Sequence, residues 1–361
     1  MKIASIVGAR PQFMKAAALS NELRKHFDEI LIHTGQHYDW EMSGVFFSEL
    51  NIPKPSYNLG IGSGTHAEQT GNMLIALEKV LAKEKPDAVL VYGDTNSTIA
   101  GALAAAKLHI PVIHVEAGMR SFNKKMPEEI NRIATDAIAD LFLCSTKTAV
   151  EHLRREGKTE NVHLAGDVMI DALKRNRQIA GKKSKILQTL KLKPNSYVLA
   201  TVHRAENTDS RENLSSIIDA VILSKERIIF DLHPRTLNCL EKYGLLGKLK
   251  NSANITITKG LGPIDFLKLQ MHAKKILTDS GGIQKEAYAL GVPCITLRNE
   301  TEWVESVNAK WNLLVGADKK KIISALRNFS PRTKRTNLYG SGNSANKICA
   351  IIAKWWKSHE K

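Results

Sequence analysis

Four carboxylates stand where proton transfer can be arranged. Asp94 and Glu116 closely follow the apolar, β-branched runs Ala88–Val91 and Val112–Val115, and Glu128 and Glu129 open a helical segment after Pro127. Ligands of parallel α/β sheets bind beyond the carboxyl ends of the strands, so acids placed there suit general acid–base work. Arg132 comes four residues after Glu128, on one helical face, where a guanidinium can hold a carboxylate or neutralise substrate charge. Complementing the helix dipole is the alternative use of Glu128 and Glu129. His203 and His233 each follow a strand-like run, a position from which an imidazole reaches a cleft and changes charge near neutral pH.

Asp279-Ser280-Gly281-Gly282 ends another such run and begins a helix through Glu286. Backbone N–H groups and the helix dipole would face an anion there, as for a diphosphate, with Glu286 one turn on to accept from ribose hydroxyls. A simple helix cap at Asp279 or Ser280 is the competing use. Arg10 and Lys15, at and after the first strand–helix turn, are cations that can point toward an anionic substrate.

Other chemistries lack their signatures. There is no G-x-G-x-x-G after the first strand and no G-x-x-x-x-G-K-[ST], so nicotinamide cofactors and P-loop hydrolysis lose their usual support, and no H-E-x-x-H or Cys/His grouping suggests a metal. No cofactor is expected. Cys144, Cys239, Cys294 and Cys349 are far apart and read as reduced packing residues of a reducing compartment. The net charge of +16 is spread as scattered lysines without a nucleic-acid motif, so no nucleic acid is expected; the charge favours a diphosphate substrate by steering. The first apolar run reaches Arg10 too soon for a secretory or membrane segment, which makes the expected location cytoplasmic.

The elements that must position these groups alternate, short β-branched runs with longer amphipathic stretches, the pattern of parallel strands joined by helical crossovers. At 361 residues, two cores are expected. Predicted strands at Ile3–Val7, Glu29–His33, Ala88–Val91, Val112–Val115, Leu141–Cys144 and Val162–Leu164 make one α/β domain. Tyr197–Val202, Ile228–Leu232, Ile255–Thr258, Lys275–Thr278, Cys294–Leu297 and Leu313–Val315 make a second. Small residues from Ile99 to Lys107 let a helix pack closely on a sheet, a Lys-rich helix-like stretch from Asp171 to Asn195 suits a hinge or linker, and Asn343 to Ser358 has helical apolar spacing.

Taken together, Gly8-Ala9-Arg10-Pro11, Thr34-Gly35-Gln36-His37, Gly93-Asp94-Thr95, His114-Val115-Glu116-Ala117-Gly118, Pro127-Glu128-Glu129-Ile130-Asn131-Arg132 and Asp279-Ser280-Gly281-Gly282 resemble the non-hydrolysing UDP-N-acetylglucosamine 2-epimerases. The blocks keep family order over about residues 1 to 316. The resemblance implies an α/β GT-B fold, two Rossmann-like domains with an interdomain active-site cleft: residues 1–170, with the helix 343–361 packing back on them, and 171–342, which binds UDP. It implies an isomerase that interconverts UDP-N-acetylglucosamine and UDP-N-acetylmannosamine by anti elimination of UDP to 2-acetamidoglucal and re-addition, feeding surface polysaccharide synthesis as a homodimer. Carried over by motif position, Asp94, Glu116 and Glu128 are the acid/base set and His203 is the histidine of the catalytic region. Arg10, Lys15, Arg132, His233, Ser280, Gly281, Gly282 and Glu286 would hold UDP, and Gln36 and His37 match a second, regulatory site of some members.

Two departures bear on the sugar. Many members read Gly-Thr-Arg-Pro-Glu in the first turn and Thr-Glu-Arg-Pro-Glu in a late loop, where this chain has Ala9, Gln12 and Thr301-Glu302-Trp303-Val304-Glu305. These resemble a subgroup that includes epimerases of UDP-2,3-diacetamido-2,3-dideoxyglucuronic acid. A GT-B glycosyltransferase and a non-catalytic UDP-sugar-binding regulator are the readings from other classes.

Overall fold

The computed structural model describes residues 1–36 and 53–359, the side chains of Arg10, Pro11 and His359 excepted. The chain divides into two compact units, Met1–Lys174 with Tyr339–Lys361, and Arg175–Leu338. Each is built on one parallel sheet.

In the first unit the strands are β1 (Lys2–Val7), β2 (Asp28–His33), β3 (Tyr57–Asn58), β4 (Ala88–Tyr92), β5 (Val112–Val115), β6 (Leu141–Cys144) and β7 (Val162–Leu164), in spatial order β3-β2-β1-β4-β5-β6-β7. Every residue of β4 and β5 is buried, as expected of strands covered by helices on both faces. The sheet runs outward from β1 in one direction and then restarts at β4 on its other side. That reversal opens a crevice beyond the carboxyl ends of β1 and β4. The small-residue helix Asn96–Lys107 lies on this sheet, and a Cβ on its Gly101 would stand 2.6 Å from Ile6 Cδ1, so glycine sets how closely it packs.

The helix Ser344–His359 belongs to the first unit and packs on the helix Arg10–Leu23. Asp167 N–H donates to the Tyr339 carbonyl at 3.0 Å, and Asp171 accepts from the Ala345 N–H at 2.7 Å, which caps this last helix.

The second unit holds β8 (Val198–Thr201), β9 (Ile228–Leu232), β10 (Ile255–Lys259), β11 (Lys275–Thr278), β12 (Cys294–Thr296) and β13 (Asn312–Leu314), ordered β10-β9-β8-β11-β12-β13, with the reversal at β8 and β11. Alternate residues fill two cores. Val198, Ala200, Ile228 and Phe230 join the cluster on one face, and Leu199, Ile229 and Ile276 the cluster on the other. All four cysteines are free, and burial pushes the thiols of Cys294 and Cys349 up to about 12, which suits packing rather than nucleophilic attack.

All twelve expected strands are present, with no end shifted by more than one residue. β3 was not foreseen; at two residues it is too short to carry a periodic signal. The Asp171–Asn195 stretch is mainly the helix Val168–Lys183 followed by the short helix Ile186–Thr189.

Gly118 tests how tightly the end of β5 is built. Its φ is +77°, and a Cβ there would run into the Ala149 carbonyl oxygen; Gly157, at φ +80°, faces open space. Gly157→Ala is expected to cost about 1–2 kcal/mol from the left-handed backbone alone, and Gly118→Ala at least about 2 kcal/mol more because the clash is with backbone. Denaturant midpoints measure the difference, and equal losses would refute the steric account.

Candidate functional site

Two acids expected at strand ends of the first unit are each held by a buried cation. Gly93, at φ +62°, turns the chain after β4 and presents Asp94, whose carboxylate takes Arg132 Nη2 at 2.6 Å and Nε at 3.0 Å. Arg132, on the helix Pro127–Ile138, is only 3% exposed and reaches Glu129 through Nη1 at 2.8 Å. Asn131 on the same helix donates to the Asp94 carbonyl at 3.0 Å. Both guanidinium bonds converge on one oxygen, Asp94 Oδ2, and hold it in place.

Glu129 is fully buried and surrounded by donors: Ser121 N–H at 2.8 Å, Ser121 Oγ at 3.0 Å, Phe122 N–H at 2.8 Å and Arg132. Burial alone would raise its pKa, but the Ser121 N–H, Arg132 and the Phe122 N–H together hold it below the ordinary carboxylate value. The side chain of Glu128, next to it, makes no hydrogen bond or ion pair among the described residues, and the residue is half-buried. Arg132 thus holds Asp94 and Glu129, where residue spacing suggested Glu128.

Glu116 immediately follows β5 with φ +72°, a left-handed conformation unusual for a side chain with a Cβ. Its N–H donates to Leu143 of β6 at 2.9 Å, and its carboxylate pairs with Lys15, which is itself buried on the helix Arg10–Leu23. Backbone strain of this kind costs on the order of 1–3 kcal/mol and persists where the surroundings over-determine it. Lys15 Nζ also lies 3.0 Å from where a Cβ on Gly93 would stand. One ammonium therefore sits against the β4 loop and pairs with the acid of the β5 loop.

The turn after β1 is locked to the same region by Gln12. Its Oε1 accepts from Gly8 and Ala9 N–H at 2.8 and 3.0 Å, and its Nε2 donates to the Tyr92 carbonyl at 2.9 Å and Thr98 Oγ1 at 3.0 Å. An amide satisfies all four. Gln36 accepts from Ser97 Oγ at 2.7 Å and Ser97 N–H at 3.2 Å, so its carbonyl tethers the start of the helix Asn96–Lys107. His37 and the Arg10 side chain lie outside what the structure describes.

In the second unit, β8 and β11 are neighbours and their loops meet at Asp279. This residue is fully buried and accepts from His203 N–H at 3.1 Å, Arg204 N–H at 3.0 Å and Asn207 Nδ2 at 3.0 Å. It braces the His203 loop and does not cap the helix. The cap position of the helix Gly281–Leu290 is Ser280, whose side chain makes no capping bond, and a Cβ on Gly282 would meet nothing within 4 Å. An uncapped helix start beside an open glycine has the properties of an anion seat. His203 and His233 stand with ring centroids 5.5 Å apart at the ends of β8 and β9. Glu286 is half-buried one turn into the helix and accepts from Gln270 Nε2 at 2.7 Å.

Behind this helix start lies a buried cluster that motif reading missed. Glu302 and Trp303 abut Gly281, Arg298 pairs with Glu302 at 2.9 Å, and Lys285 Nζ lies 3.8 Å from the Trp303 ring centroid. Gln12, Glu129, His114 and Asp136 were likewise not assigned structural partners from sequence. Apart from the Glu129–Arg132 pair, which has i,i+3 helical spacing, their contacts lie up to 86 residues away and no spacing rule predicts them.

A family model described as UDP-N-acetylglucosamine 2-epimerase matches residues 21–353. A Methanococcus maripaludis protein named UDP-N-acetylglucosamine 2-epimerase homolog is 56% identical, over 98% of this chain and 99% of that protein. The Pseudomonas aeruginosa UDP-2,3-diacetamido-2,3-dideoxy-D-glucuronate 2-epimerase is 44% identical, over 98% of this chain and its full length. The crystal structure of the Methanocaldococcus jannaschii UDP-GlcNAc 2-epimerase with UDP-GlcNAc and UDP superposes with a TM-score of 0.93 at 46% identity, covering 98% of this chain and all of that one.

Because Glu129 titrates lower in the folded chain than its reference value of 4.5, its ionised form stabilises the fold above that pH, and the contribution is lost as pH falls. In Glu129→Gln the new amide N–H₂ would face donors, at a cost of about 3 kcal/mol at neutral pH. Melting curves should show the variant well below wild type at about pH 7, with the gap narrowing toward about pH 4. A gap independent of pH would refute the assignment.

Proposed function

The chain belongs to the UDP-N-acetylglucosamine 2-epimerase family, with its GT-B-like two-domain fold, and on that premise we propose that it interconverts UDP-N-acetylglucosamine and UDP-N-acetylmannosamine. It is a UDP-sugar 2-epimerase, an isomerase. The observation that carries the finer reading is the arrangement at the ends of β4 and β5, where Asp94 is gripped by Arg132 and Glu116 by Lys15.

The proposed chemistry needs such groups. The proton on C2 has no neighbouring carbonyl to acidify it, so its removal must be driven together with departure of UDP from C1. A base takes the C2 proton while the C1–O bond to UDP breaks, leaving a C1–C2 double bond. A proton is then delivered to the opposite face of C2 while a UDP oxygen re-forms the bond to C1. Asp94, Glu116 and Glu128 are the acid/base set in this reading, with His203 in the reacting region. Arg10, Lys15 and Arg132 supply cations. Ser280, Gly281 and Gly282 offer the diphosphate seat at an uncapped helix start, with His233 and Glu286 binding the rest of UDP. The reading includes action as a homodimer in the cytoplasm, upstream of surface polysaccharide.

A second substrate, UDP-2,3-diacetamido-2,3-dideoxyglucuronic acid, is favoured by Trp303 in the late loop and by the 44% identical relative of that activity. Incubating the protein with each sugar in deuterated water and reading C2 by NMR decides between them: inversion with deuterium at C2 is expected for one. Absence of exchange with both sugars would sink the proposal. Asp94→Asn, Glu116→Gln and Glu128→Gln should each lower turnover about 10²-fold or more while UDP binding survives; wild-type rates in all three would refute their roles.

A further inference from the structure

His114 and Asp136 belong to none of the groups assigned above, yet both are almost completely buried directly behind them. His114 is in β5, and its Nε2 donates to the Gly93 carbonyl at 2.8 Å, the only sense that a carbonyl acceptor allows. Its Nδ1 stands 2.7 Å from Asp136 Oδ1. The second oxygen of Asp136 accepts from the Gly118 N–H at 3.0 Å and from Arg120 Nη1 at 2.7 Å. Arg120 is tied in turn to the Met119 carbonyl at 2.7 Å and to Glu156 at 2.8 and 2.6 Å.

One imidazole–carboxylate pair thus grips the peptide just before Asp94 and the Ala117–Gly118 peptide, one residue beyond Glu116. Those two loops are the ones that need gripping. Gly93, Glu116 and Gly118 all have positive φ, at +62°, +72° and +77°; the Gly93 and Glu116 N–H groups still donate across the sheet, to Val115 and Leu143, and the Gly93 carbonyl and Gly118 N–H beyond them go to the pair instead. Burying two ionisable groups is expensive unless each is fully bonded, and here every ring nitrogen and both carboxylate oxygens have partners.

We infer that His114 and Asp136 are positioning residues that hold Asp94 and Glu116 in register for proton transfer, an inference that rests on the acid/base reading above. Neither touches substrate; both act through the two loops.

Two substitutions of His114 separate the bonds, because glutamine places an amide N–H₂ where Nε2 was and asparagine places one where Nδ1 was. In the full chain, His114→Gln keeps the donor to Gly93 and is expected to keep kcat within about threefold of wild type. His114→Asn releases the Gly93 carbonyl and should lose about 10²-fold in kcat, the scale of an ångström of misplacement, with KM changed less than about threefold. In the Asp94→Asn background the same substitution should add little, since both act through one group. Equal losses in the two His114 variants, a rise in KM matching the fall in kcat, or full additivity with Asp94→Asn would overturn the inference. If wild type inverts neither sugar, the acid/base reading fails by itself. Amide hydrogen exchange over residues 92–96 then judges the pair: faster exchange in His114→Asn than in His114→Gln supports it, and equal exchange overturns it. Should His114→Asn not fold, Asp136→Asn, with the same readouts over residues 116–119, takes its place.

Discussion

Burying the carboxylate of Glu129 is unfavourable unless donors surround it, and the chain supplies them from three places: the Ser121–Phe122 backbone, the Ser121 hydroxyl and Arg132. The consequence runs in both directions. The 121–122 segment is pinned, with Phe122 held at φ +61°, and Arg132, anchored on Glu129, reaches Asp94. Remove the buried acid and the guanidinium loses its anchor, and with it the orientation of an acid two elements away. Lys15 and Glu116 complete the arrangement from the other side, so the end of the first sheet is a network of opposed charges in which no member is oriented alone.

The second unit reaches a similar end with different chemistry. Asp279, whose sequence context suggested a helix cap or part of an anion seat, spends its carboxylate on the backbone of the His203 loop. That leaves the helix behind it to start at Ser280 without a side-chain cap. Glu302 and Trp303 close off the side of Gly281, while Gly282 stays open. The two glycines therefore differ: one packs closely against the late loop, and the other faces open space.

Much of this was legible before any coordinates. Parallel strands buried on both faces announce themselves as β-branched runs, and the rule that chemistry sits past their carboxyl ends pointed to Asp94, Glu116, His203 and His233. Helical spacing, however, paired Arg132 with Glu128, whereas the guanidinium reaches Glu129 and, 38 residues back, Asp94. The bracing groups were illegible for one reason. Gln12 with Tyr92, His114 with Gly93 and Asp279 with His203 are contacts between loops brought together by sheet order, and sheet order is not written in local periodicity. The acids could be found by asking where strands end; what holds them required knowing which strands are neighbours.

The return of the helix Ser344–His359 to the first unit has a consequence for how the molecule is made. During synthesis the first sheet emerges early, but the helix that covers Arg10–Leu23 and takes its cap from Asp171 leaves the ribosome only after the whole second unit. The second unit, one continuous stretch from Arg175 to Leu338, is complete before that. A nascent chain therefore passes through a stage in which its later half can already be native while its earlier half still waits with an apolar face uncovered, and that stage is when a chaperone has most to offer.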